Sequence, residues 1–322
     1  MPYPVELTPP DISPYKHGNT GIDYAHRFES GRAGPHVLVT ALVHGNELCG
    51  AIALDWLFKA KFRPARGVLT LAFCNVFAFE HFDPAAPSDS RYMDEDFNRV
   101  WSPERLDARA RDARGGGGDS LELARARALR PVVDAADLLL DIHSMQHKTP
   151  ALIICGPHEK GRKLARAVGF PALVVSDEGH AAGRRMRDYA DFGNPADLKN
   201  SLLVECGQHW EKASAAVAKE TLVRFLRHAG LADEAWAARH LAVRKPAPQR
   251  IIEVTHAVTI KSPEFRFAAD YKGLEVIPKK GSVLGHDGAE PVHTPYDDCV
   301  LIMPSRRLQP GQTAVRLGRY VD

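Results

Sequence analysis

The tetrapeptide His44-Gly-Asn-Glu47 follows an apolar run, residues 36–43, that has the length and β-branched composition of a buried strand. The run therefore ends in an imidazole and, three residues later, a carboxylate. Open α/β sheets place their active sites at the carboxyl ends of strands. A His-x-x-Glu turn lets both side chains reach one zinc ion. Because so short a motif also occurs by chance, a metal site requires further ligands elsewhere in the chain.

Two later apolar runs also end in reactive side chains. Residues 137–144 carry His143, and residues 200–207 carry Glu205. A strand-end histidine is by itself more often a hydrogen-bonded core residue than a metal ligand. A carboxylate inside an apolar run is harder to explain structurally, because an unpaired buried carboxylate costs several kcal/mol.

Together these residues have the composition of a catalytic zinc site. Such a site commonly takes three protein ligands and leaves one position for water, a count that His44, Glu47 and His143 supply. Glu205 is the spare carboxylate that can serve as general base. The set therefore predicts a hydrolytic metal centre with one Zn²⁺ per chain.

Arginines suited to an anionic substrate lie between these runs. A guanidinium binds a carboxylate through two parallel hydrogen bonds and can neutralise a developing oxyanion. Arg91 and Arg99 are candidates for these roles. Arg99 is equally suited to an ordinary salt bridge. The His-Glu-x-x-His helix of thermolysin-type zinc proteases is absent from the sequence.

With these motifs the chain resembles the succinylglutamate desuccinylase/aspartoacylase family, part of the wider zinc carboxypeptidase-like group. The resemblance covers residues 35–230. Its motifs are His44-Gly-Asn-Glu47, Arg91 with Asn98-Arg99, the strand ending in His143, and Glu205-x-Gly207.

The resemblance implies a zinc-dependent amidohydrolase that removes the acyl group from an N-acylated amino acid or a similar small amine. The implied zinc ligands are His44, Glu47 and His143. In this reading Glu205 activates a zinc-bound water and Arg91 polarises the scissile carbonyl. The residues implied to hold the substrate carboxylate are Asn98 and Arg99.

The sequence departs from the family pattern at positions that affect the choice of substrate. His143 is followed by Ser144-Met145, where the aspartoacylases have Asn-Thr-Thr. Candidates for a further substrate-binding arginine are Arg184, Arg185 and Arg187. Candidates for the tyrosine that closes on substrate in relatives are Tyr271 and Tyr296.

Alternating strands and helices must position these residues. Predicted strands are residues 21–29, 36–43, 68–73, 138–142, 151–155, 172–175 and 201–205. Predicted helices are residues 47–60, 120–135, 159–167 and 210–228. The alternation predicts an α/β fold with a mixed, mostly parallel sheet and helices on both faces. The Gly-rich segment 114–119 is expected to be a flexible surface loop.

The composition changes near residues 245–248, where helical periodicity gives way to short runs separated by Gly and Pro. We predict a zinc-dependent catalytic domain over residues 1–245 and a C-terminal all-β module over 246–322. The hairpin pattern of residues 273–303 is similar to that of biotinyl and lipoyl carriers. Lys279 and Lys280 lack the neighbours of a modified lysine, so a structural lid or an oligomer contact is favoured.

The bulk composition excludes several classes of partner. The net charge of +2 over 322 residues gives no electrostatic footprint for nucleic acid or membrane. No uninterrupted apolar stretch approaches the roughly 18 residues of a spanning helix, and no secretory signal is visible. The five scattered cysteines predict buried reduced thiols in a cytoplasmic protein. The composition is compatible with a homo-oligomer.

Two other functions are compatible with the same residues. A metallocarboxypeptidase uses the same kind of centre on short peptides, but a C-terminal module over the site mouth would exclude them. A non-catalytic small-molecule-binding protein could keep the fold. The complete set of zinc ligands with Glu205 argues against that class, because a protein that had lost its activity is expected to have lost a ligand or the base.

Overall fold

The structure, a computed structural model, describes residues 3–108, 119–179, 182–242 and 247–321. The strands are β1 Ala25–Glu29, β2 His36–Ala41, β3 Val68–Phe73, β4 Leu138–Met145, β5 Leu152–Ile154, β6 Leu173–Ser176, β7 Asn200–Gln208, β8 Arg250–Thr259, β9 Arg266–Phe267, β10 Val276–Ile277, β11 Val283–Asp287, β12 Glu290–His293, β13 Cys299–Ile302 and β14 Thr313–Tyr320. The helices are α1 Leu48–Lys59, α2 Val76–Glu80, α3 Pro103–Asp107, α4 Leu121–Asp134, α5 Glu159–Val168, α6 Lys212–His228 and α7 Glu234–His240.

The strands and helices predicted before residue 230 are present as β1 to β7 and as α1, α4, α5 and α6. The helices α2, α3 and α7 were not predicted, because five to seven residues are too few to show a helical period. The Gly-rich segment predicted to be a surface loop lies outside the described residues, except for Asp119.

The central sheet is mixed and mostly parallel over its first seven strands, in the order β1-β3-β2-β4-β7-β5-β6. Parallel pairs are β2–β3, β2–β4, β4–β7 and β5–β6, whereas β1 and β5 run antiparallel to β3 and β7. Strands β2 and β7 are buried along their whole length, as the unbroken apolar runs require. The predicted fold class is confirmed.

Helices cover both faces of this sheet. On one face, α1 packs against β2, α6 against β4 and β7, and α5 against β6 and β7, and alternate residues of β2 such as Val37 and Val39 belong to this core. On the other face, α4 packs through Leu123 and Leu129 against Leu38. Because successive side chains of a strand point to opposite faces, one apolar strand supplies both cores.

The C-terminal part is all-β, as predicted. Strand β8 pairs in parallel with β6, and β14, β13 and β10 extend the same sheet through antiparallel pairs. Strands β12, β11 and β9 form a separate antiparallel sheet. Residues 243–246 lie outside the described part, so the division into two domains at 245 stays a prediction.

The five cysteines are buried and form no disulfide in the described chain, which agrees with the predicted thiols. None of the helices in the described ranges has the length and apolar character needed to cross a membrane.

Candidate active site

Three neighbouring strands deliver the predicted residues to one edge of the sheet. His44 follows β2, while His143 and Glu205 lie near the ends of β4 and β7. Parallel pairing places β4 between β2 and β7, and it sets His143 directly opposite Glu205 in the register. The carboxyl ends of adjacent parallel strands therefore bring together side chains that are far apart in sequence.

The turn from His44 to Glu47 is shaped by a close backbone approach. A Cβ added to Gly45 would lie 2.4 Å from backbone atoms of Ala78 and Phe79. The Gly45 N–H donates to the carbonyl of Arg91 at 3.1 Å. Only glycine fits, because backbone atoms at this distance cannot move aside as a side chain could. The turn is thereby fastened to the loop that carries Arg91.

Glu47 joins the two histidines. Its Oε1 lies 2.7 Å from Nδ1 of His44, and its Oε2 lies 3.0 Å from Nδ1 of His143. All three side chains are buried, and one ligand atom from each lies within 4.8 Å of the others. Two imidazoles and a carboxylate converging on one point could hold a metal ion.

The outer nitrogens of both histidines meet carboxylates. Nε2 of His143 lies 2.8 Å from Asp141, whose other oxygen accepts a hydrogen bond from Thr40. Nε2 of His44 lies 2.9 Å from Asp96. A carboxylate behind a histidine orients the ring and raises its basicity, an arrangement that recurs in metal sites. The donor set of two histidines and one glutamate fits a catalytic zinc ion.

Glu205 differs from the other carboxylates of this cluster. It is 5% exposed, and its Oε2 makes no hydrogen bond to any described residue. Burial raises the pKa of Glu205 to about 8, and the negative charge of Glu47 acts in the same direction, whereas His143 opposes it. The structure thus places beside the candidate ligands a carboxyl group whose Oε2 has no partner among the described residues.

Arg91 is held by acidic groups of the cluster. Its guanidinium lies 3.3 Å from Oε1 of Glu47 and 3.1 Å from Oδ2 of Asp96. It also lines the cavity that contains His44 and Glu205. Arg91 therefore adds a partly buried positive charge next to the three candidate ligands.

Asn98 and Arg99 lie on the next turn of the same loop. The side-chain oxygen of Asn98 accepts from the Met186 N–H at 2.9 Å, so Asn98 also ties two loops together. Arg99 donates to the Asn98 carbonyl at 2.7 Å, and its Nε has no partner among the described residues. Burial lowers the pKa of Arg99 to about 10, because a charged guanidinium loses hydration there.

These residues line one cavity of about 400 Å³. Its walls come from the loops after β2, β4 and β7, and also from the C-terminal strands and their loops, including Pro304 and Arg316. A cavity of this size suits a small molecule. All seven site residues predicted from the sequence lie on its wall: His44, Glu47, Arg91, Asn98, Arg99, His143 and Glu205.

The positions of the side chains in the structure narrow the choice among the candidate substrate-binding arginines and tyrosines. Arg185 lines the cavity, whereas Arg187 is buried against Asp188 and Ser201 outside it. Arg184 lines a separate surface pocket. Neither candidate tyrosine is part of the described cavity wall, and the hydroxyl of Tyr296 bonds Thr255 instead.

Sequence reasoning missed several residues that line or support the site. Among them are Asp96, Asp141, Glu122, His209 and Arg316. Asp141 had a usable signal, because residues i and i+2 of a strand share one face and the pair Asp141-x-His143 is visible in the sequence. Glu122, His209 and Arg316 meet their partners only through long-range packing.

Glu122 anchors the loop that carries Arg91 and Asp96. It is 0% exposed, and its carboxylate accepts the backbone N–H groups of residues 93, 94 and 95 at 2.7 to 3.3 Å. It also accepts from the side chain of Asn75 at 3.0 Å. Several charge-assisted bonds to one carboxylate fix the shape of this loop.

Replacing this carboxylate tests its anchoring role. Glu122→Gln should lower the free energy of unfolding by about 2 kcal/mol, because an amide offers one acceptor where the carboxylate offers two. Urea denaturation measures the change. The control is Glu159→Gln, since Glu159 also occupies a first helical turn but is exposed, and it should change stability by less than about 0.5 kcal/mol. Equal effects of the two substitutions would contradict the anchoring role.

Comparison with a family model and with solved structures agrees with the geometry of the site. The succinylglutamate desuccinylase/aspartoacylase catalytic domain, as a family model, matches residues 33–229. A search of curated proteins found no match. Among solved structures, a succinylglutamate desuccinylase from Vibrio parahaemolyticus is 15% identical, with 93% of this chain and 87% of that chain covered and a TM-score of 0.64.

Two further solved structures are similar over nearly the whole chain. A succinylglutamate desuccinylase/aspartoacylase from Rhodobacter sphaeroides is 19% identical, covers 90% of this chain and 87% of its own, and has a TM-score of 0.61. The product-bound ectoine utilization protein EutE (DoeB) from Ruegeria pomeroyi is 20% identical, covers 91% and 88%, and has a TM-score of 0.60. At these identities the likeness shows a shared fold. Because the family model spans more than half of the 322 residues, the chain belongs to the succinylglutamate desuccinylase/aspartoacylase family of deacylating hydrolases.

Proposed function

We propose that the protein is a zinc-dependent hydrolase that cleaves the amide bond of an N-acylated amino acid or a similar small amine. One observation carries this proposal: Glu47 joins two buried histidines through their Nδ1 atoms, and the unpartnered carboxyl of Glu205 lies in register with one of them. Three ligands and a neighbouring carboxyl group are a set suited to metal-assisted hydrolysis.

The proposed ligands are His44, Glu47 and His143. When bound there, a zinc ion supplies a Lewis acid that makes water more acidic and polarises a carbonyl group. Asp141 would accept the outer N–H of His143 and so keep its Nδ1 turned toward Glu47, while Nε2 of His44 is held between Asp96 at 2.9 Å and NH2 of Arg91 at 2.8 Å. The Ser144 N–H donates to Oε2 of Glu47 at 3.0 Å and holds that carboxylate in place.

Glu205 would transfer a proton from the attacking water to the leaving amine. Its Oε2 has no competing hydrogen bond among the described residues, so the ionised form of Glu205 is available to accept a proton from the attacking water. The same oxygen would then deliver that proton to the nitrogen of the leaving amine. A buried position keeps bulk water away from both transfers.

The arginines would bind the substrate and its developing charge. Arg91, which borders the candidate ligands, would stabilise the oxyanion that forms when water adds to the carbonyl. Arg99, whose Nε has no partner among the described residues, would bind the carboxylate of the amino acid, together with Asn98.

Substitution of the base should separate metal binding from turnover. Glu205→Gln is expected to keep about one zinc per chain while lowering kcat by at least about 100-fold, because an amide cannot accept the proton. Metal analysis and steady-state hydrolysis on one preparation measure both quantities. The matched control is Glu211→Gln, which alters a nearby glutamate outside the cavity wall. Activity of Glu205→Gln within tenfold of the unmodified chain would rule out this base.

The carboxylate of Asp141, which contacts Nε2 of His143, should strengthen zinc binding. Asp141→Asn is expected to weaken zinc binding about 10-fold to 100-fold, because the ring loses its anionic partner. Competition with a chelator measures the dissociation constant, and His44→Ala should abolish stoichiometric binding. Asp137→Asn is the control, since Asp137 bonds the His36 N–H at the other end of the strand. Unchanged affinity in Asp141→Asn would contradict the assignment.

A metallocarboxypeptidase acting on short peptides is the second candidate, because it would use the same centre. The walls added by the C-terminal strands favour a small substrate over a peptide. We expect N-acetyl or N-succinyl derivatives of aspartate, glutamate, diaminobutyrate or neutral amino acids to be hydrolysed faster than blocked dipeptides. A higher kcat/KM on the dipeptides would reverse the choice.

A further inference from the structure

The residue after strand β7, His209, contacts the end of β4 through two hydrogen bonds. Its backbone N–H donates to the carbonyl of Met145 at 2.9 Å, and Nδ1 of its ring lies 2.9 Å from Oγ of Ser144. The side chains of His209 and Ser144 are both buried. Because Ser144 directly follows the candidate ligand His143, the ring meets the backbone segment that carries part of the candidate metal site.

A β-bulge turns the chain after β7 toward β4. The two strands pair in register up to His143 and Glu205, and the register then shifts before the pair Met145 and Gln208. Strand β4 advances two residues over this stretch and β7 advances three, so the extra residue lies in β7. Gly207, within the shift, has a φ of 109°, a backbone angle that favours glycine. A bulge bends its strand and changes the direction of the residues that follow.

Ser144 contacts Glu47 directly. Its N–H donates to Oε2 of Glu47 at 3.0 Å, and the same oxygen lies 3.0 Å from Nδ1 of His143. A hydrogen bond weakens steeply when its donor turns away from the acceptor, so the orientation of this peptide group matters. The hydroxyl bonded to His209 belongs to the residue that carries the donor. That bond therefore restrains the peptide at the point where Glu47 is held.

The next residue supports the other side of Glu47. The indole N–H of Trp210 donates at 3.2 Å to the carbonyl of Asn46, which precedes Glu47 in the chain. Trp210 is buried. Two consecutive residues after β7 thus contact the peptide before Glu47 and the residue that meets its carboxylate. Because β7 also carries Glu205, one segment of chain positions both the proposed base and a proposed ligand.

The His209 ring is an uncharged partner in this arrangement. Burial lowers the pKa of His209 to about 3, the negative charge of Glu47 opposes the shift, and the positive charge of Arg91 adds to it. The imidazole is therefore neutral near neutral pH. It contributes a hydrogen bond to Ser144 and adds no charge beside the candidate ligands.

We propose that His209 is a positioning residue that holds Glu47 in its metal-binding orientation through Ser144. The inference rests on the proposed zinc site, in which Glu47 is a ligand. A carboxylate that rotates freely loses conformational entropy when it binds a metal ion, and this loss lowers the affinity. A carboxylate already oriented by the Ser144 N–H avoids part of that loss.

Loss of the imidazole should weaken zinc binding. His209→Leu is expected to raise the Kd for zinc about tenfold, because Ser144 loses its hydrogen-bond partner. His209→Asn places a side-chain amide near the position of Nδ1 and should stay within about threefold of the native Kd. Competition with a chelator measures the Kd. Metal analysis at saturating zinc should still give about one ion per chain.

A double-mutant cycle tests whether the effect passes through Ser144. Ser144→Ala alone should also raise the Kd about tenfold. The chain with both Ser144→Ala and His209→Leu should show a rise of about tenfold, not about 100-fold, because either change breaks the same contact. Ser144→Ala removes a single oxygen atom, so it tests the proposal even if His209→Leu does not fold.

A matched histidine lies at the opposite end of strand β2. His36 is buried, and its Nε2 lies 2.8 Å from the hydroxyl of Thr70. His36→Leu removes the same kind of buried contact between an imidazole and a hydroxyl group. It should lower the melting temperature and leave the Kd for zinc unchanged.

The outcomes separate this inference from the proposed function. A native chain that binds no zinc would contradict the proposed site and, with it, this inference. If the native chain binds zinc, an unchanged Kd in His209→Leu or Ser144→Ala would overturn the role of His209 alone. Effects that multiply in the double variant, no recovery in His209→Asn, or an equal loss in His36→Leu would also overturn it. Weaker binding that is shared in the double variant and recovered in His209→Asn would support it.

Discussion

The contact of one carboxylate with two imidazoles is the constraint on which the rest of this site depends. Glu47 is buried and meets Nδ1 of His44 and of His143 with separate oxygens. A buried carboxylate and two polar rings are stable only if each remaining polar atom also finds a partner. Asp96 and Asp141 supply those partners on the imidazole side, and together with the Ser144 N–H they surround Glu47 with a nearly complete network.

The sheet makes this network possible. Strands β2, β4 and β7 are adjacent and parallel, so their carboxyl ends form one edge on which His44, His143 and Glu205 meet. Glu122, at the start of α4, extends the support to the loop of Arg91 by accepting its backbone amides. The C-terminal strands then complete the cavity from the opposite side through residues such as Arg316.

Much of this arrangement was predictable because it is local or periodic. Unbroken apolar runs identified the central strands, and reactive residues at their ends identified His44, His143 and Glu205. The contact between Asp177 and Arg316 was not predictable, because 139 residues separate the two and only the pairing of β6, β8 and β14 brings them together. Glu122 was missed for a similar reason, since a glutamate in a first helical turn is ordinarily a solvent-exposed helix-dipole partner.

The central claim is that His44, Glu47 and His143 together bind one catalytic zinc ion. Crystals of the zinc-loaded protein, measured on both sides of the zinc absorption edge, test it most directly. The predicted result is a single anomalous peak per chain, bounded by Nδ1 of His44, Nδ1 of His143 and the carboxylate of Glu47, with Glu205 beside it and not bound to the metal. A peak elsewhere, or no peak with the three side chains still in mutual contact, would contradict the account.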